Sequence, residues 1–98
     1  MDIATLTPES FEPLIGEPVT VTTTEGSIEL RITRVEPRGD APEEGMRAPF
    51  TLTLVGPVAP ILEQGAWPMT LPGLGEMALF LSPFAQVGDE TRYEINFS

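Results

Sequence analysis

The chain contains no cysteine and no histidine, and all five of its basic residues are arginines, so lysine is absent as well. Each absence removes a kind of chemistry. Without cysteine there is no disulfide, no thiolate nucleophile and no thiolate metal site. Without histidine, neither a Ser–His–Asp nor a Cys–His arrangement can be assembled, and imidazole metal sites are excluded. Without lysine there is no Schiff-base amine. Positive charge is scarce too. Fifteen acidic residues outweigh the arginines and give a formal net charge of −10 over 98 residues, which repels phosphate backbones and sets nucleic acid aside as a partner. No apolar run approaches the ~18 residues of a membrane span. Met1-Asp2-Ile3 opens without the basic and apolar regions of a signal peptide. A soluble, cytoplasmic protein without membrane contact is the expectation.

What is present points to strands. Eleven prolines and nine glycines favour short strands and tight turns over long helices. The length suits one domain over residues 1–98 with a single core. Thr7-Pro8-Glu9-Ser10 reads as the start of one or two helical turns, with Thr7 as cap and Pro8 at the first helical position. Leu6, Phe11, Leu14 and Ile15 would form the apolar side of that plug.

From Pro18 the apolar period becomes two. Val19, Val21 and Thr23 define a first strand, and Thr24-Glu25-Gly26-Ser27 a turn. Ile28, Leu30 and Ile32 face inward on the second strand. Alternation slips at Arg34-Val35, where either a β-bulge returns Val35 to the core or the strand leaves the sheet at Thr33. Glu36 to Ala48 has no apolar pattern and reads as a surface loop. Phe50, Leu52 and Leu54 then face inward and Thr51, Thr53 and Val55 outward. Val58 to Gly65 is expected to make one helical or 3₁₀ turn with Ile61 and Leu62 under the sheet. Trp67, Met69 and Leu71 share a face, while Pro68 on the other face argues for an edge or irregular strand. Leu74 to Phe84 is the most hydrophobic stretch and reads as a central strand covered on both sides. Ala85 to Thr91 is expected as a hairpin loop around Gly88-Asp89, followed by Tyr93, Ile95 and Phe97 facing inward. The result is an all-β fold: a small six-stranded antiparallel barrel or roll, mostly a meander, capped by a short N-terminal helical turn.

No catalytic constellation emerges. Glu43-Glu44 and Asp89-Glu90 fall in loops without apolar enclosure, and Glu29 and Glu94 sit on the solvent phase of strands, unlike the enclosed carboxylate pairs of glycosidases. Asp40, Glu43 and Glu44, or Asp89 and Glu90, offer oxygens for calcium but lack the spacing of an EF-hand loop. Gly73-Leu74-Gly75 has no strand–loop–helix context for phosphate binding. Catalytic, metal and cofactor residues are therefore expected to be none. The surplus lies in apolar residues on the outward phase: Val55, Ala78 and Phe80, with Phe84 and Met46 nearby. Either the Phe11-Leu14-Ile15 segment covers them, the preferred expectation, or Val55, Ala78, Phe80 and Phe84 form a surface for a protein partner.

Phe11-Glu12-Pro13-Leu14-Ile15-Gly16, Ala48-Pro49-Phe50-Thr51-Leu52 with Gly56-Pro57, and Leu62-Glu63-Gln64-Gly65 recur in one order and spacing with Leu79-Phe80-Leu81-Ser82-Pro83 and Tyr93-Glu94-Ile95-Asn96-Phe97. In these the chain resembles a family of small uncharacterised bacterial proteins, a domain of unknown function associated with phage-tail-collar genes. The resemblance implies an accessory or structural role, without catalytic residues to carry over. The expected function is thus a non-enzymatic interaction or structural accessory module of a phage-tail-like or secretion-type assembly. The alternatives are a barrel binding a small ligand in an internal cavity and, third, a carboxylate-based enzyme.

Overall fold

The computed structural model describes residues 6–39 and 49–97. A four-residue helix, α1 (Pro8–Phe11), runs into a 3₁₀ turn at Glu12–Leu14, and six strands follow: β1 (Pro18–Thr23), β2 (Gly26–Pro37), β3 (Phe50–Pro57), β4 (Gly65–Leu71), β5 (Gly75–Val87) and β6 (Glu90–Phe97). They close into an antiparallel barrel in the order β1-β2-β3-β6-β5-β4. Two three-stranded meanders are thus joined along β3–β6 and β1–β4.

Alternation places the core as expected. Val19, Val21, Leu30, Ile32, Phe50, Leu52, Leu54, Met77, Leu79, Leu81, Tyr93, Ile95 and Phe97 all point inward and are buried, the geometry that successive Cβ atoms of a strand impose. The seam between β1 and β4 registers only Thr20↔Thr70 and Val21↔Met69. Pro68, which has no N–H to donate, lies just past its end, so the irregularity expected of β4 falls at the weakest ladder.

Chain segments close both ends. At one end Phe11 packs against the stacked rings of Phe50 and Phe97, with centroids 5.8 and 5.4 Å away. The Thr7 backbone N–H donates to Ser10 Oγ at 3.1 Å, fixing the entry of the plug. At the other end the link between β3 and β4 folds Leu62 inward, and its N–H donates to Tyr93 Oη at 3.0 Å.

Several expectations are corrected. Val58 to Gly65 contains no helical turn; Leu62 is buried but Ile61 is exposed, because the segment crosses the barrel mouth in extended and bent conformations and turns only one side chain in. Ile15 also faces solvent, since the 3₁₀ turn ends at Leu14 and the chain leaves the plug there. The loop read from Glu36 is strand as far as Pro37, which pairs with Phe50; Asp40 to Ala48 lies outside the described residues. Ala85 to Thr91 is not a long loop either: β5 runs to Val87 and β6 resumes at Glu90, leaving a two-residue turn with Gly88 at φ 63°. Thr51 lies on the outer phase but is buried, because Arg38 Nε donates to its hydroxyl and the hydroxyl donates to Asn96 Oδ1 at 2.7 Å.

Thr91 points into the barrel with its hydroxyl buried and without a hydrogen-bond partner among the described residues. A buried hydroxyl left unpaired costs about 1–3 kcal/mol. Thr91→Val keeps the shape and removes that penalty, so a rise in melting temperature is expected by circular dichroism. A lower melting temperature would show that the hydroxyl is satisfied in solution.

Candidate functional site

The four residues proposed from sequence divide between two places on the outer wall. Ala78 and Phe80 lie on β5 opposite Pro68 and Ala66 of β4, in the register Pro68↔Ala78 and Ala66↔Phe80. All four are exposed, and Phe80 retains 54% of its surface. The expectation that Leu74 to Phe84 is covered on both faces, with Phe11 over Phe80, is therefore overturned. Phe11 is consumed in the end plug with Phe50 and Phe97, so nothing among the described residues covers the outer face of β5. Ala66 and Pro68 extend the patch across two strands. The sequence offered a signal for them, the outward phase of Pro68, but read it only as a mark of strand irregularity.

Val55 and Phe84 belong to the second place, a groove of about 410 Å³ over β2, β3, β6 and the later part of β5. Its origin lies in two register breaks. In β2 the pairing passes from Ile32↔Leu54 to Arg34↔Thr53, which leaves Thr33 as an extra residue. The bulge anticipated at Arg34-Val35 thus sits at Thr33, and it does return Val35 to the core side, opposite Leu52. In β5 the pairing passes from Pro83↔Tyr93 to Ala85↔Arg92, which leaves Phe84 extra. Each bulge sets two consecutive residues on the outer wall opposite one partner: Thr33 and Arg34 opposite Thr53, Phe84 and Ala85 opposite Arg92. The doubled positions form walls on either side, and β3 and β6 between them form the floor with Thr53, Val55, Glu90 and Arg92. The Thr33 hydroxyl donates to the Thr53 carbonyl at 3.3 Å and braces one wall.

Charge is unevenly distributed around the barrel. The four described arginines lie on β2, just after it, or on β6, and each pairs with a glutamate of the same stretch: Arg31 with Glu29, Arg34 and Arg38 with Glu36, and Arg92 with Glu90. Exposed pairs of this kind contribute at most about 1 kcal/mol each to stability; their consequence is a near-neutral wall over β2, β3 and β6. On β1, β4 and β5 there is no arginine at all, and Glu76 is the one charged residue.

The remaining sequence candidates are not brought together. Glu29 and Glu94 are engaged with Arg31 and Asn96 on the outer face. Asp89 and Glu90 join no third acidic residue in a metal-sized group among the described residues, and Glu43, Glu44 and Met46 fall outside them. Trp67 is half-buried against the core and donates Nε1–H to the Glu63 carbonyl at 2.8 Å. Val58, Ile61 and Val87 are exposed at the end closed by Leu62, as single apolar residues commonly are on soluble surfaces. No helix among the described residues is long and apolar enough to cross a membrane.

These features define a small closed antiparallel barrel whose interior is filled by side chains and whose distinctive surfaces lie on the outer wall. The chain belongs to the DUF6916 family, a domain of unknown function, which matches residues 6–97. No curated protein and no solved structure matches it.

Proposed function

We propose that the protein is a non-enzymatic interaction module that docks a protein partner on the outer face of β4 and β5. The observation that carries this reading is the pair of adjacent register positions, Ala66↔Phe80 and Pro68↔Ala78, with apolar side chains exposed on both strands. Their solvent exposure leaves apolar surface in water, which association would remove at about 25 cal/mol per Å². The absence of arginine from β1, β4 and β5 leaves this face free of long cationic side chains that would have to be desolvated on docking. An accessory or structural role, of the sort the resemblance implies for phage-tail-like or secretion-type assemblies, fits such a module. The interior, occupied by Tyr93, Phe50, Leu52, Leu54, Met69 and Leu81, favours this reading over a ligand held inside the barrel.

The test is capture from the native cell with wild type and Phe80→Asp as bait. Because Phe80 packs on the outer face, the variant is expected to melt close to wild type, within about 0.5 kcal/mol of its stability, and to lose the specific partners. Recovery of the same partners by an equally folded Phe80→Asp removes the reading.

A further inference from the structure

We infer that the groove between the two bulges is a second, separate binding site, for a singly charged carboxylate joined to an apolar group. Both register breaks of the barrel open onto this one concavity, and each adds an outward side chain to its rim. Bulges serve to re-aim side chains beside functional sites, and two of them flanking the same four-strand stretch build walls that an ordinary convex barrel surface lacks. The volume of about 410 Å³ falls within the range of small-molecule sites, about 300–1,000 Å³.

The chemistry follows from what the rim leaves unused. Arg34 engages Glu36 through Nε at 3.1 Å, and Arg92 engages Glu90 through Nε at 3.4 Å. Among the described residues, this leaves both Nη groups of each arginine available as the planar donor fork that carboxylates match. The Thr53 hydroxyl adds a neutral donor, while Val55 and Phe84 present apolar surface on the floor and one wall. Glu90 and the overall charge of −10 oppose a polyanion through like-charge repulsion, so the groove suits one negative charge carried on an aliphatic or aromatic body. Such a carboxylate has two sources, a free small acid or the C-terminal end of a peptide.

The probes are phenylacetate, its neutral analogue phenylacetamide, and a short peptide ending in phenylalanine with its carboxylate free or amidated. Each is titrated into ¹⁵N-labelled full-length protein. Phenylacetate or the free-carboxylate peptide is expected to give saturable shifts at the amides of Thr53, Val55, Phe84 and Arg92, with a dissociation constant on the order of 1 mM. The tighter of the two identifies the source. Phenylacetamide and the amidated peptide are expected to leave these amides unmoved. Arg92→Gln and, independently, Arg34→Gln are expected to weaken binding at least about tenfold, because each removes one charged fork. Both side chains are solvent-exposed, so the spectra of the variants report directly whether the fold is kept. Absence of shifts with every carboxylate, equal shifts with the neutral probes, or undiminished binding in both folded arginine variants overturns the proposal.

Discussion

Phe11→Ala is expected to lower stability by about 3–5 kcal/mol, the usual range for truncating a fully buried phenylalanine. The position is sensitive because α1 is only four residues long and has little helical stability of its own. What holds the segment is the ring of Phe11, completely buried against Phe50 and Phe97, and those two rings in turn stack at 4.5 Å across the first register pair of β3 and β6. Removing Phe11 opens the end of the barrel and exposes that pair. For a domain of this size the loss corresponds to a fall in melting temperature of about 12 °C or more, read by circular dichroism. Ile15→Ala is the control, since Ile15 is largely exposed and its loss is expected to shift stability by no more than about 0.5 kcal/mol. Equal melting of the two variants would mean that the plug does not unfold together with the barrel.

Gly56→Val tests the opposite failure, overfilling. Propensity alone favours the change, because a glycine inside a strand is worse than a β-branched residue by roughly 0.5–1 kcal/mol. Packing reverses the sign. A Cβ added at Gly56 would overlap Leu30 Cδ2 and stand 3.6 Å from Tyr93 Cε2, so the buried Leu30 side chain would have to shift. Overpacking of a filled core costs about 1–3 kcal/mol, so after the propensity gain a net loss of about 1 kcal/mol is expected from urea unfolding. Shortening Leu30 to valine in the same chain relieves the overlap, and the double variant is expected to lose less than the two single losses added together. Strict additivity would show that Leu30 is not the obstacle.

The inward residues were legible because alternation is a local property: two positions along a strand suffice to say which side chains share a face. Local pattern could not say which outward face has a cover, and so Phe80 was assigned one that Phe11 does not provide. Strand ends were equally hidden. Glu36 and Pro37, or Ala85 to Val87, have loop-like composition and become strand only because β3 and β6 lie beside them. The break in alternation located the first bulge to within a residue or two, since its effect is to restore Val35. The second bulge gave no such signal, because the strand reads as ending at Phe84 and Ala85 to Thr91 as a loop. The groove depends on both bulges and on β3 pairing with β6, a contact between residues some forty positions apart, and no single stretch of sequence contains it.

The closed, side-chain-filled barrel has a consequence for how the molecule can change. Along β3 and β6, stability and recognition are written in alternate letters: Leu52, Leu54, Tyr93 and Ile95 hold the fold, while Thr53, Val55, Arg92 and Glu94 face outward between them. Substitution of one set leaves the other largely untouched. The outer wall can therefore be re-lettered by mutation, in evolution or in the laboratory, to meet a different ligand or partner while the same barrel persists beneath it.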